Sequence, residues 1–157
     1  MIESDFIYTI VRTFPESILV MFAGLMLLGV KKNKMYTFKK GILLATIVFA
    51  IRRLPISLGI HTILSMVVIG VILFKISGEQ MIASIIVTCK IWIALALSEG
   101  IYTVIAIQIF KIPFETLFNT TGIYGAMITL PSLIIFFGLI LLFNKIRLKL
   151  NLVYNKN

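Results

Sequence analysis

Long apolar runs, separated by short polar or basic stretches, dominate the sequence. A helix that crosses the hydrocarbon core of a bilayer needs about 20 mostly apolar residues. The pattern predicts five such helices with short connections and leaves no stretch for a separate soluble domain. We therefore expect a single all-α domain over residues 1–157, built as an integral membrane helical bundle. Its predicted helices cover approximately residues 14–30, 36–53, 58–74, 81–110 and 122–143.

The start of the first helix is predicted from a local signal. Residues 6–12 are largely apolar, but Thr13-Phe14-Pro15-Glu16 separates them from the next apolar run. A threonine followed three residues later by a glutamate fits a capping box, and proline is tolerated in the first turn of a helix. We expect the helix to begin near Phe14, with residues 6–12 as a short segment at the membrane interface or against the bundle.

The fourth run is too long for a simple crossing. Residues 81–110 are apolar apart from Lys90, Ser98-Glu99-Gly100 and Gln108. At about 1.5 Å per residue, one helix of this length exceeds a hydrocarbon core of about 30 Å by half, so it must tilt, protrude or break near Gly100. Five crossings place both strongly basic regions on one side of the membrane. A break near Gly100, with six crossings, remains the alternative.

Composition and charge placement agree with a bilayer environment. The chain is 60% hydrophobic and 13% charged, with a mean hydropathy of +1.09, so it has too little polar surface for a water-soluble globule. Its net charge of +9 comes from Lys and Arg residues at the ends of apolar runs, a pattern typical of membrane topology and not of nucleic-acid binding.

The basic residues predict an orientation in the cell membrane. Lys31-Lys32-Asn33-Lys34, Lys39-Lys40 and the tail 144–157 are expected in the cytoplasm, since positive charge favours that side. Residues 1–5, which include Glu3 and Asp5, are then outside. This acidic segment does not resemble the basic start of a cleavable signal peptide.

Charged side chains within spanning helices are costly, so each needs a partner or a wet cavity. Arg12 can pair with Glu16, four residues further along. Lys90 and Glu99 lie nine residues apart and therefore face opposite sides of one helix. The charged residues predicted within the membrane are Arg12, Glu16, Lys90 and Glu99.

The densest polar stretch lies between two apolar runs, at Ile51-Arg52-Arg53-Leu54-Pro55-Ile56-Ser57-Leu58-Gly59-Ile60-His61-Thr62. Glu99 could pair with one of its three ionisable residues. We predict that Arg52, Arg53, His61 and Glu99 form a site that binds a ligand or signal. A purely structural ion pair or hydrogen bond is the alternative for each of them.

Motifs for catalysis or metal binding are missing from the sequence. It contains no phosphate-binding glycine loop, no G-x-S-x-G, no H-E-x-x-H and no paired cysteines. His61 is the only histidine and has no second metal ligand at a suitable spacing, which argues against a zinc site. Cys89, the only cysteine, falls at a different predicted depth from His61, which argues against a cysteine protease. We expect no enzyme activity, no metal and no cofactor.

The stretch 51–62 resembles the multi-spanning N-terminal sensor regions of clostridial GHKL-type sensor kinases. Residues 16–31, in the form Glu-Ser-x5-Ala-Gly-Leu-x-Leu-Leu-Gly-Val-Lys, and Ser98-Glu99 are similar as well. The resemblance implies detection of a peptide or small signal at the membrane, with Arg52, Arg53, His61 and Glu99 as the polar cluster. It covers only the sensor region, so we expect no kinase activity from these residues alone.

The predicted function is a multi-pass membrane sensor or regulatory module that binds a signal or a partner protein. The alternative is a small transporter or transporter subunit, with Glu99, Lys90, Gln108 and a kink at Pro131 lining a path. A structural or assembly role is the third hypothesis. The expected partners are the lipid bilayer and either a kinase-like or ATPase chain or a second copy of this chain.

Overall fold

The computed structural model describes residues 2–54, 58–113 and 122–154. These ranges contain α-helices and no strand, which confirms the predicted all-α helical bundle. The described helices are α1 (Ile2–Leu28), α2 (Lys34–Arg52), α3 (Leu58–Ser77), α4 (Met81–Gln108), α5 (Gly122–Thr129) and α6 (Pro131–Tyr154).

Four helical stretches in the described ranges are long and apolar enough to cross a membrane. They support a membrane-spanning protein, as the sequence predicts, and they cover Ile7–Leu28, Gly59–Ser77, Met81–Gln108 and Gly125–Lys149. Helix α2 has 19 residues but is more basic, with three lysines near its start and Arg52 at its end. Its length suits a crossing, but its composition alone does not assign one.

Helix α1 begins earlier than predicted and runs without a break through Pro15. The capping-box interpretation of Thr13 and Glu16, and a separate segment at residues 6–12, are therefore wrong. The reason is tertiary: the buried Thr13 hydroxyl accepts a hydrogen bond from Arg52 (Nη1 to Oγ1, 3.0 Å), and the Glu16 carboxylate forms ion pairs. Contacts with other helices thus hold the side chains that would otherwise cap a helix start.

Helix α4 is continuous through Gly100, so the described structure does not contain the break that would give six crossings. Its 28 residues give a length of about 42 Å at about 1.5 Å per residue. The helix is longer than the hydrocarbon core of a typical bilayer and must tilt or protrude.

The last predicted helix is divided into two. Helix α5 ends at Thr129, and α6 starts at Pro131, where a missing backbone N–H is tolerated because it belongs to the first turn. Helix α6 then continues to Tyr154, through most of the region expected to be a tail at 144–157.

Helix α1 is the centre of the bundle and packs against all five other described helices. The side chains that fill the core between them are almost completely buried, namely Met21, Leu44, Leu73, Ile91, Phe136 and Ile140. At the end of α1, Gly29 adopts a φ of +78°, which glycine tolerates without steric cost. The Arg147 guanidinium donates hydrogen bonds to the carbonyl oxygens of Leu27 and Leu28 at the same point.

The two ends of the bundle differ in chemistry. We call one the basic end: it carries the short connections after α1 and α3, the start of α2, the last turn of α3 and the last turns of α6. Its basic residues are Lys31, Lys32, Lys34, Lys39, Lys40, Lys75, Lys145, Arg147 and Lys149. The other, which we call the cavity end, holds the start of α1 and α3 and the last turns of α2 and α4.

Candidate functional site

Four charged side chains at the cavity end form one connected network. In order of contact they are Arg52, Glu16, Arg12 and Glu99, contributed by α2, α1 and α4. Positive and negative groups alternate along this charge network, so its formal charges sum to zero. Such mutual pairing is what an ionisable group needs where the surroundings are mostly apolar.

Arg12 holds the centre of the network. Its Nε lies 3.8 Å from Oε2 of Glu16, one turn further along α1, which confirms the pairing expected from their spacing. Its two terminal nitrogens donate to Glu99 on α4 and, at 3.1 Å, to the hydroxyl of Tyr8. Arg12 therefore ties the first half of α1 to the last third of α4.

Arg52 closes the network from the end of α2. Its Nη2 lies 3.8 Å from Oε1 of Glu16, and its Nη1 donates to the Thr13 hydroxyl at 3.0 Å. Both partners lie on α1, so an arginine at the last residue of α2 is fixed against the central helix. The negative end of the α2 dipole favours a cation at this position.

A cavity of about 400 Å³ opens at the charge network. We call it the charged cavity; the four network residues line it together with Tyr8, Thr62, Trp92, Leu95 and Ala96. A neighbouring cavity of about 180 Å³ shares Tyr8, Arg12 and Glu99 with it and extends towards α5 and α6. Helix α5 is held beside it by the hydroxyl of Tyr102, which donates to the carbonyl oxygen of Ile128.

Apolar packing fills the bundle between the charge network and the basic end. From Val20 onward the inward face of α1 carries buried apolar side chains, and Leu73, Ile91 and Phe136 meet them from α3, α4 and α6. The charged cavity thus ends on a packed hydrophobic core in the described part of the chain.

The structure brings together two of the four residues predicted to form the site. Arg52 and Glu99 both line the charged cavity, but Glu99 pairs with Arg12, and the described ion pairs of Arg52 do not include it. Arg53 lies on the outside of the bundle with its guanidinium carbon 5.3 Å from the centre of the Phe49 ring. It therefore contributes to the surface of α2.

His61 is adjacent to the charged cavity but is not one of the described residues that line it. The following residue, Thr62, does line the cavity. The Nδ1 atom of His61 is buried and has no hydrogen-bond partner in the described ranges. His61 is thus half-buried near the start of α3, outside the charged cavity.

Lys90 is separate from the charge network. It lies on the exposed face of α4, and among the described residues it has no ion-pair or hydrogen-bond partner. Glu99, nine residues further along, faces α1. The prediction that the two side chains point to different sides of α4 is therefore confirmed.

Sequence reasoning did not place Tyr8, Thr13 and Trp92 at the site. Tyr8 is a helical turn before Arg12, a spacing that could have suggested the hydrogen bond. The contact between Arg52 and Thr13 spans 39 residues along the chain, and the local sequence contains no signal for it. Trp92 shares the charged cavity with Glu99 because seven residues separate them, two turns of the same helix face.

The arrangement can bind ions and hydrogen-bonding groups, but the described residues do not form a known catalytic constellation. No group of three or more His, Cys, Asp or Glu side chains that could hold a metal ion is found in the described ranges. The cavity offers two guanidinium groups, two carboxylates and aromatic surface from Tyr8 and Trp92. These groups are suited to reversible recognition of a polar molecule.

No protein-family model matches the chain, and no significant similarity to a curated protein or to a solved structure is found. The charge network and the charged cavity are therefore the features that indicate a function.

Proposed function

We propose that this chain is a multi-pass membrane sensor module that binds a small polar signal in the charged cavity and has no catalytic activity of its own. The module crosses the cell membrane five times: α2 crosses it in addition to the four helical stretches that are long and apolar enough to do so. Its cavity end faces outward and its basic end faces the cytoplasm, where a kinase-like or ATPase partner chain receives the signal.

The observation that carries this proposal is the closed floor of the charged cavity. The cavity is polar where it opens and meets the buried apolar side chains of α1, α3, α4 and α6 where it ends. A receptor needs access from one side only, whereas a transporter needs polar groups that can be reached from both sides in turn. In the described ranges no charged side chain is fully buried in the core beyond this cavity, which favours binding over passage.

The position of Lys90 argues in the same direction. A path through the bundle that uses both Lys90 and Glu99 requires the two side chains to share a cavity. Glu99 lines the charged cavity, whereas Lys90 is exposed on the opposite face of α4 and lines none of the described cavities. The transporter alternative therefore loses one of the residues on which it depends.

Transmission towards the cytoplasm can use the central helix. Arg12 and Glu16 in the first half of α1 belong to the network, and the carbonyl oxygens at the end of α1 accept hydrogen bonds from Arg147 on α6. A displacement of α1 by a bound molecule would reach the basic end through these contacts. A conformational signal can be carried by such a continuous packed element.

Binding and transport can be distinguished by one experiment with proteoliposomes that contain the protein. Labelled polar solutes are added, and the retained label is measured while the internal volume of the vesicles is reduced by osmotic shrinkage. Label bound to a sensor scales with the amount of protein and is independent of internal volume. Label carried by a transporter falls in proportion to that volume.

Two variants complete this experiment. Glu99→Gln is expected to lower retention, since it removes a charge that lines the cavity, and Lys90→Gln is expected to leave it unchanged. Volume-dependent retention that both variants abolish would overturn the sensor proposal in favour of a transporter. A chain that retains none of the solutes would contradict both.

A further inference from the structure

We propose that the charged cavity accepts a small zwitterion, a molecule with one anionic and one ammonium group such as a free amino acid. This inference rests on the proposed function and specifies the chemical class of the signal. It follows from three properties of the charge network: which members are open to the cavity, what lies beside them, and how their charges add up.

The ends of the charge network are open and its middle is closed. Arg12 and Glu16 have two ion-pair partners each, and their side chains are only 16% exposed. Arg52 and Glu99 have one such partner each and are 34% and 52% exposed. The cavity therefore presents one cation and one anion with unused hydrogen-bonding capacity.

A neutral donor accompanies the cationic end. The indole Nε1 of Trp92 is buried and has no partner in the described ranges, although a buried N–H normally has one. Trp92, Arg52 and Glu16 also line a small pocket next to the charged cavity, and Glu99 is not among the residues that line it. The indole thus lies on the Arg52 side, but its Nε1 is closed off from the cavity, so Arg52 is the group that a ligand carboxylate can reach.

The charge balance of the cavity determines which net charge is favourable in a bound ligand. The four network residues sum to zero, and a ligand with one net charge would leave the cavity with an unbalanced charge in surroundings of low dielectric constant. An apolar molecule would remove water from Arg52 and Glu99 without replacing it. A zwitterion supplies a partner to both open ends and keeps the sum at zero.

Apolar surface in the cavity leaves room for a side chain. Leu95 and Ala96 line it beside the charged residues, together with the rings of Tyr8 and Trp92. A hydrophobic amino acid is therefore a suitable probe, and leucine provides both poles and an apolar group.

Trp92 is the only tryptophan of the chain, so its fluorescence reports on the cavity directly. The full chain in nanodiscs is titrated with leucine, with N-acetylleucine, which lacks the ammonium group, and with leucinamide, which lacks the carboxylate. We expect leucine to bind about tenfold or more tightly than either analogue, because each analogue leaves one open end of the charge network, Arg52 or Glu99, without a partner on the ligand.

Two variants should reverse this preference. Glu99→Gln leaves the network with an excess positive charge, so N-acetylleucine should bind better than leucine. Arg52→Gln leaves an excess negative charge, so leucinamide should bind better. The control, Lys75→Gln, removes an exposed cation at the basic end and should keep the preference for leucine. Circular dichroism establishes that each variant is folded.

The headgroup of phosphatidylethanolamine carries the same two charges, and the nanodisc lipid distinguishes this source. Leucine affinity that is equal with and without phosphatidylethanolamine indicates a soluble zwitterion, whereas affinity lowered by that lipid indicates that the headgroup occupies the cavity.

Equal binding of leucine and N-acetylleucine by the unmodified chain would overturn the zwitterion proposal and identify an anion site, leaving the sensor proposal in place. Failure of leucine, glycine and phenylalanine to give a saturable change would overturn it too. Volume-dependent retention in proteoliposomes, by contrast, would reject the sensor proposal itself.

Discussion

Arg12 has two carboxylate partners, and this sets the expected cost of removing it. In Arg12→Gln, the carboxylates of Glu16 and Glu99 are left with Arg52 as the one remaining cation of the network. We expect a loss of about 3 kcal/mol in the free energy of unfolding, as for a buried charge that loses its partner. Glu99→Gln should cost about 1 kcal/mol, since Glu99 is half exposed and has one ion-pair partner.

Unfolding in mixed micelles of increasing denaturing detergent, followed by circular dichroism, measures both variants. The double variant should lose less than the sum of the two single losses, because the two residues contact each other. Additive losses, or a larger loss for Glu99→Gln than for Arg12→Gln, would contradict the central position of Arg12 in the network.

At the scale of residues, the sequence predicted which side chains need a partner but not every partner. Arg12 and Glu16 pair as their helical spacing indicates. Glu99 was expected to pair with a residue of the stretch 51–62, yet its partner is Arg12, 87 residues away. The pairing depends on how α1 and α4 pack, so local sequence could not choose among Arg12, Arg52, Arg53 and His61.

Close packing of α1 against α2 depends on Gly41. A Cβ atom added to Gly41 would lie 2.9 Å from the Cα atom of Ile18, and backbone cannot move aside as a side chain can. Gly41→Ala should therefore separate the two helices and destabilise the bundle by about 2 kcal/mol. Thermal unfolding in one detergent measures this loss.

Gly100 provides the matched control for Gly41. It also lies inside a helix, but a Cβ atom built on it has no neighbour within 4 Å in the described structure. Gly100→Ala should leave the unfolding temperature unchanged or raise it slightly, because alanine favours helices. Equal destabilisation by the two substitutions would rule out close contact of α1 with α2 as the cause.

At the scale of helices, the apolar runs predict that the long helices exist. They predict less accurately the residues at which the helices begin and end. Thr13, Pro15 and Glu16 imitate a helix start, whereas α1 begins at Ile2 and the side chains of Thr13 and Glu16 contact Arg52 instead of capping a helix. The last helix was predicted as one piece, but Pro131 divides it. At the start of α1 packing prevails over a local signal, whereas the division of the last helix follows from Pro131, which has no backbone N–H to donate.

The orientation of the bundle can be tested with single cysteines in a Cys89→Ala background. Five crossings place the exposed Leu54 after α2 on the outside and Lys32 in the cytoplasm. We expect Leu54→Cys to react with a membrane-impermeant maleimide in intact cells, and Lys32→Cys to react only after the cells are opened. Labelling of both from one side would show that α2 does not cross.

The charge network accounts for Arg52, one of the two arginines that conflict with the charge rule in this orientation. Two arginines at the end of α2 would be unusual outside the cell, where positive charge is disfavoured. The charge of Arg52 is balanced by Glu16, so it contributes little net charge to that end. The sequence alone could not predict this, because the pairing exists only once α1 and α2 have packed.

At the scale of the whole molecule, the account rests on a charged cavity that opens to the outside and is closed towards the cytoplasm. Ala96 lines this cavity and is exposed, so Ala96→Cys places a small reactive group there without altering the charge network. The direct test is its reaction with an impermeant thiol reagent, applied to either face of oriented membranes in the Cys89→Ala background. Glu79→Cys, in the connection between α3 and α4, marks the cytoplasmic face.

The account predicts that Ala96→Cys is modified from the outer face only and that Glu79→Cys is modified from the cytoplasmic face only. Modification of Ala96→Cys from the cytoplasmic face would contradict it, because that result requires a polar path through the apolar core of the bundle.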